Sequence, residues 1–430
     1  MEAGETTPFA ALAHAFLPAD PEAAGVVVEA VPGDRRRATL PADAEVLVWG
    51  RLADGAHHPL RHATARELDV LALRAAARGR LRVRAVHRLP APGASRGLRG
   101  WARGAVRAGV VVELVSPGAG QRVLDAVLQA AGASSTPARI RAGAAGTLLL
   151  RVWLGSGTPA VLRVTRAAAP GDPAGAAETL ERLAGVAHAP RLLGRGVVAG
   201  ASWSAEEALQ GRRPARMTWD LVREVALACS RLPRCAAPPM APVDDLLATA
   251  ARLPRHAGGL RRLADVLRAP LDGIPAIQRH GDLWSGNVLI ERGSLRGIVD
   301  WDAAHADGVP GADLIQLVGT EARRRAHLSL GRAVLERPWR SGDFADATRG
   351  YWKALGIAPE ERLLDVAGIA WWAGELHHTL RRFPQRAAED RWVAENVAAA
   401  LPALMRVAEA PSGRSRGGAR GSTPRAAMRG

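Results

Sequence analysis

The chain has 430 residues, 48% of them hydrophobic, and a formal net charge of +16; that length exceeds what one core usually supports and predicts two or three domains. No apolar run approaches the eighteen or more residues of a membrane span, and the start, MEAGETTPFAALAHAF, carries Glu2 and Glu5 where a secretory leader needs positive charge, so a soluble cytoplasmic protein is expected. Lys353 is the only lysine among the 58 basic residues, so the positive balance reflects arginine usage along the whole chain and argues against a nucleic-acid partner. In chain order, GVVVEAV (25–31), EVLVWG (45–50), LRVRAV (81–86) and GVVVELV (109–115) read as strands, with helices at about 66–79, 97–108 and 121–132. They make a small α/β module over residues 1–132 whose role the residues do not reveal, and no G-x-G-x-x-G follows any of its strands.

From Arg78 to Arg107 there are nine arginines and no acid. Arg99, Arg103 and Arg107 recur every four residues, while Leu98, Trp101, Ala105 and Val106 take another helical face. Such a helix suits the surface of an anionic membrane, although most charged faces are simply solvated. The segment reads as self-contained, so that deleting the first 130 residues is expected to leave a folded protein that binds nucleotide.

A second unit opens near residue 135, where ARIRAG, TLLLRVWL and AVLRVTR read as an antiparallel meander turned first at Gly143 and Gly146 and then at GSGTP (155–159). A helix containing Glu178 and Glu181 follows, then the strands RLLGRGVV and ASWSAEEAL. Helical patterns dominate from about Arg216, and residues 409–430 form a basic tail expected to be disordered. Cys229 and Cys235 have no paired Cys or His motif nearby and read as free thiols.

The densest chemistry lies in RHGDLWSGNVLIERGSLRGIVDWD (279–302). VLI (288–290) and GIVDW (297–301) form two strands of a hairpin that brings Asn287 near Asp300. An amide oxygen and a carboxylate are hard ligands suited to magnesium, which takes one or two protein groups and completes its shell with substrate phosphates. Asp282, in the preceding loop, is placed to accept a proton from a nucleophile, and an Asp and an Asn five residues apart are parts that phosphoryl transfer uses.

On HGDLWSGNVLI (280–290), IVDWD (298–302) and GVPGADLIQL (308–317), the chain resembles the aminoglycoside phosphotransferase and choline kinase family, whose fold is that of protein kinases. The resemblance spans roughly residues 135–408 and implies an α+β, two-lobed kinase-like fold, with a sheet lobe over 135–209 and a helical lobe over 210–408. It implies a small-molecule kinase that moves the γ-phosphate of ATP or GTP, with Mg2+, to a hydroxyl of a small polar acceptor. Asp282 becomes the catalytic aspartate, Asn287 and Asp300 the magnesium ligands, and His280 and Asp313 structural supports. Gly143 and Gly146 cover the phosphates, and SAEEAL (204–209) is the hinge, with Glu206 and Ala208 facing the nucleotide. The family has a lysine on the third strand; here Arg163 stands there, paired by expectation with Glu178 or alternatively Glu181. Either Arg163 replaces the lysine in function or nucleotide handling is impaired, which leaves a catalytically impaired binding protein as the alternative. Trp371, Trp372 and Glu375 fall where the family builds its acceptor site.

Plainer readings exist for several of these residues. His280 has no second histidine at ligand spacing and reads as a packed loop residue, Asp313 as a helix cap, and the tryptophan pair as core. GDLWSGN is superficially similar to elements of metal-dependent phosphoesterases, but no D-x-H precedes it and Val288 rather than histidine follows Asn287, so a dinuclear site would be incomplete.

Overall fold

Valine-rich segments too short to fold alone become stable by pairing, and those of the first 132 residues do so in one sheet. The computed structural model describes residues 12–20, 22, 25–29, 46–51, 81–89, 109–116, 119–134, 139–142, 147–155, 157–167, 174–186 and 188–410. The expected helices at 66–79 and 97–108, Gly143, Gly146, the basic segment apart from residues 81–89, and residues 411–430 lie outside the described residues. Strands β1 (Gly25–Glu29), β2 (Val46–Arg51), β3 (Arg82–Leu89) and β4 (Gly109–Val115) form a sheet of order β1-β2-β4-β3. Its β1–β2 pair is parallel, and β4 runs antiparallel to both β2 and β3. Helix α1 (Val123–Ala130) follows, begun by Asp125 accepting a hydrogen bond from the Arg122 amide at 3.1 Å and burying Val123, Leu124, Val127 and Leu128 along one face.

The meander forms β5 (Arg139–Ala142), β6 (Leu148–Trp153) and β7 (Pro159–Arg166). After α2 (Ala174–Arg182), β8 (Leu192–Val198) and β9 (Ala201–Glu207) complete an antiparallel sheet of order β5-β6-β7-β9-β8. Along β6 the side chains alternate, Leu148, Leu150 and Val152 buried and Arg151 and Trp153 exposed. A sheet with one apolar face must be covered. The cover comes from the first 132 residues: Leu12, Phe16, Val48, Val111, Leu124 and Val127 share one hydrophobic cluster with Leu148, Leu150, Leu162, Val164 and Trp203. The expected boundary near residues 132–135 thus falls inside a common core.

Further along are α3 (Trp219–Cys229), β10 (Arg234–Cys235), α4 (Ala241–Arg252), α5 (Ala257–Leu271), β11 (Ala276–Arg279), β12 (Val288–Glu291), β13 (Ser294–Ile298) and β14 (His305–Gly308). Then come α6 (Ala312–Ala326), α7 (Leu330–Glu336), α8 (Gly342–Leu355), α9 (Glu361–Arg382), α10 (Asp390–Val393) and α11 (Leu401–Glu409). The chain divides into two compact units, Met1–Pro233 with His280–His305, and Arg234–Arg279 with Ala306–Gly430. The first holds both large sheets and the β12–β13 hairpin; the second is mainly helical, with α9 buried at Ala367, Ala370, Trp371, Trp372, Ala373 and Leu376. The α+β class expected from the sequence is the one observed. Among the described residues no helix is long and apolar enough to cross a membrane.

Because Phe16 is fully buried in the shared cluster, Phe16→Ala is expected to cost about 3–5 kcal/mol, the usual penalty for emptying a core aromatic site. Hydrogen exchange should show the loss in β6 and β9 as well as in β4; protection lost in β4 alone would mean that the two sheets do not share a core.

Candidate active site

The hairpin sets the site. Val288 on β12 pairs with Ile298 on β13, and beyond that pair the Val299 amide donates to the Asn287 carbonyl at 2.9 Å. Asp300 is thereby fixed one residue from Asn287's cross-strand partner, in the left-handed region at φ 72° and ψ 61°, a conformation that Asp tolerates better than most residues but still at a cost. The preceding loop is held just as closely. Gly281 has φ +77°, and a Cβ there would lie 2.1 Å from the Ala303 carbonyl oxygen, so only glycine lets the two segments approach. His280 is wholly buried, its Nε2 donates to the Val299 carbonyl at 2.9 Å, and its ring lies 4.6 Å from that of Trp301. The Asp282 amide donates to His280 Nδ1 at 3.3 Å. Asn287 Nδ2 donates to the Asp282 carbonyl at 2.8 Å and to its carboxylate at 3.2 Å. The amide oxygen of Asn287 is thereby turned away from Asp282.

Arg163, on β7 between Leu149 and Ser204 of the flanking strands, joins this group. Its side chain is only 8% exposed, and its NH1 donates to Asp302 at 2.7 Å while NH2 donates to Asp300 at 3.2 Å and to Glu206 at 3.5 Å. Burial works against the guanidinium charge, but Glu206, Asp302 and Asp300 together outweigh it and hold the proton more firmly than usual. Burial likewise pushes the Glu206 carboxyl above the usual carboxylate range, with Arg163 opposing the shift.

The expected partner of Arg163 is corrected by these contacts. Glu178 and Glu181 on α2 lie 3.9 and 3.1 Å from Arg195 of β8 and are about half exposed; the helix presents them to the neighbouring strand, and Asp302 and Glu206 take the place assigned to them. The expected hinge segment begins on β9. Glu206 sits on β9 between β7 and β8, with its backbone facing Val161 and Leu192 and its side chain on Arg163, while the Ala208 amide already donates to the Pro159 carbonyl at 3.0 Å.

In the helical unit, Asp313 lies in the first turn of α6, whose N-cap position belongs to Gly311. The buried Asp313 carboxylate accepts from Arg279 Nε at 3.1 Å. Arg279, which sequence reasoning passed over, directly precedes His280, and its stem fills the space that a Cβ on Gly308 would need. Trp371 and Trp372 are 1% and 0% exposed, the first edge-on to Trp339 and the second donating from Nε1 to the Asn396 carbonyl at 2.9 Å. Burial removes both from contact with any acceptor, correcting the expectation for that pair. Glu375 accepts from Gln316 at 2.9 Å and faces Arg323 at 3.8 Å, so its charge already has a cationic neighbour.

Among the described residues no group of three or more His, Cys, Asp or Glu side chains stands ready to hold a metal. The Asn287 and Asp300 oxygens suit a magnesium ion of the kind that draws its remaining ligands from phosphates and water. Their one point of tension is the Arg163 contact to Asp300.

Replacing Arg279 by leucine leaves Asp313 buried without its counter-charge, and a loss of about 3–5 kcal/mol is expected. Denaturant unfolding of Arg279→Leu and of Arg279→Leu/Asp313→Asn checks it: the double variant should recover part of the loss, and equal stability of the two would contradict the pairing.

Residues 138–345 match the model of the family described as "Phosphotransferase enzyme family", and the match contains Arg163, Glu206, Asp282, Asn287, Asp300, Asp302 and Asp313. The comparison with curated proteins finds no match. Among solved structures, the chain is similar to a macrolide 2'-phosphotransferase from Brachybacterium faecium at 16% identity and a TM-score of 0.39, covering 68% of this chain and 98% of that one. It is similar also to an aminoglycoside-3'-phosphotransferase of type VIII at 23% identity and a TM-score of 0.38, covering 56% and 93%. A third is a thermostable mutant of an aminoglycoside phosphotransferase in ternary complex with ADP and hygromycin B, at 13% identity and a TM-score of 0.40, covering 66% and 98%. The likeness that counts is the family match: residues 138–345 of this chain are similar to the phosphotransferase enzyme family.

Proposed function

We propose that the protein transfers the γ-phosphate of ATP or GTP to a hydroxyl of a small polar acceptor. The observation that carries the reading is the convergence, within one compact unit, of Asp282, Asn287, Asp300 and Arg163, linked through direct hydrogen bonds or the backbone next to them. Asp282 would orient the acceptor hydroxyl and take its proton as the oxygen bonds to the γ-phosphorus and the bond to the nucleoside diphosphate breaks. Asn287 and Asp300 would hold magnesium, which when bound neutralises charge on the β- and γ-phosphate oxygens. Arg163 would steady the phosphates with its planar fork.

Arginine in place of lysine at 163 favours a second reading, a binding protein that has lost transfer, because the two side chains are not interchangeable where geometry is tight. Weighing against it, Arg163 is received by carboxylates from two separate parts of the unit, Glu206 on β9 and Asp300 and Asp302 after β13. Decay of an old lysine site does not call for such a pocket.

Asp282→Asn keeps the shape and removes the basicity. It is expected to lower the rate of phosphate transfer about 10²- to 10⁴-fold with little effect on nucleotide affinity, measured by following nucleoside diphosphate release against a panel of hydroxylated metabolites and by calorimetry. Turnover equal to that of the natural protein would remove Asp282 from the mechanism.

A further inference from the structure

We propose that Arg163 competes with the divalent cation for the Asp300 carboxylate, and that Asp302 is the positioning residue that holds the guanidinium when Asp300 releases it. The inference rests on the reading of Asp300 as a magnesium ligand. Its basis is the way in which the guanidinium divides its contacts. NH1 makes the shortest one, to Asp302 at 2.7 Å, while NH2 is shared between Asp300 at 3.2 Å and Glu206 at 3.5 Å. Glu206 is buried and Asp300 is about half exposed, so one carboxylate is fixed in the unit and the other is open to a cation arriving from solvent. A small rotation carries NH2 from Asp300 towards Glu206 without breaking the NH1 contact. Nothing on the third nitrogen resists this movement, because Arg163 Nε is buried without a hydrogen-bond partner.

A lysine could not work in this way. Its single ammonium would have to leave Asp302 and Asp300 together, whereas the arginine fork holds different carboxylates with different nitrogens. Asp302, two residues past Asp300, thus does the anchoring work for which a helix glutamate was expected. With Arg163 on Asp300 the carboxylate is neutralised before metal arrives; with Arg163 drawn towards Asp302 and Glu206 it is free to bind the cation.

The test measures Mn2+ binding to the full chain without nucleotide, by the electron paramagnetic resonance signal of free Mn2+. Arg163→Gln should bind Mn2+ about tenfold more tightly than the natural protein, as removal of a neighbouring cation from a carboxylate site implies. Asp302→Asn should bind it more weakly, since the guanidinium then leans on Asp300; with Asp302 about half exposed, this variant is expected to fold. The double variant separates positioning from simple charge: in the Arg163→Gln background the loss caused by Asp302→Asn should largely vanish. If Arg163→Gln does not fold, Arg163→Met supplies the same comparison, because it removes the charge and keeps an unbranched stem of similar length. An equal loss from Asp302→Asn in both backgrounds, or unchanged or weaker binding by Arg163→Gln, overturns the proposal. Asp300→Ala is the control on the underlying reading. Mn2+ affinity that survives in Asp300→Ala, or no Mn2+ binding by any variant, overturns the site assignment and the competition together; affinity lost there but insensitive to Arg163 overturns the competition alone.

Discussion

One guanidinium buried among three carboxylates is the constraint on which the described site depends. Burying a charge is costly unless it is paired with good geometry, and Arg163 meets that condition only because β9 supplies Glu206 from one side and the segment after β13 supplies Asp300 and Asp302 from the other. The ordering of the β12–β13 hairpin and the placement of the five-stranded sheet are therefore coupled. Losing either source of carboxylate would leave the guanidinium undercompensated, and losing Arg163 would leave three acids close together.

The backbone around the hairpin is built to the same tolerance. Asp300 takes a left-handed conformation, Gly281 lets the 280–282 segment close on Ala303, and His280 bridges the two through the Val299 carbonyl and the Asp282 amide. Asn287 ties Asp282 to the hairpin with its side-chain nitrogen and Val299 with its carbonyl. These contacts join residues that must act together, and none depends on a flexible exposed side chain. In the helical unit the buried Arg279–Asp313 pair ties the end of β11 to the first turn of α6.

Much of this was legible in the sequence, where its signals were local. The alternation of Leu148, Leu150 and Val152 gives a strand with one buried face, the turn ERGSLR gives a hairpin, and the spacing of Asp282 and Asn287 identifies a loop with chemical work to do. What failed was choice of partner across the fold. Glu178 and Glu181 sit at sensible positions on a helix after the third strand, yet helix spacing says nothing about which strand the helix faces, and it faces Arg195. Asp302, in IVDWD, carried no signal to distinguish it from an ordinary turn acid. Trp371 and Trp372 followed the general habit of helical aromatics and went into the core. The shared cluster around Phe16 was equally hidden, because alternating strands and helices reveal that a segment can fold but not whether it covers its own sheet or another.

We assign Asn287, Asp300 and Arg163 to one phosphate-handling site. A crystal structure of the full chain with magnesium and a non-hydrolysable ATP or GTP analogue tests it most directly. A magnesium ion is expected about 2.0–2.1 Å from the Asn287 amide oxygen and an Asp300 carboxylate oxygen, with Arg163 kept by Asp302 and turned away from Asp300. A metal held by other residues, with Arg163 still bound to Asp300, would contradict it.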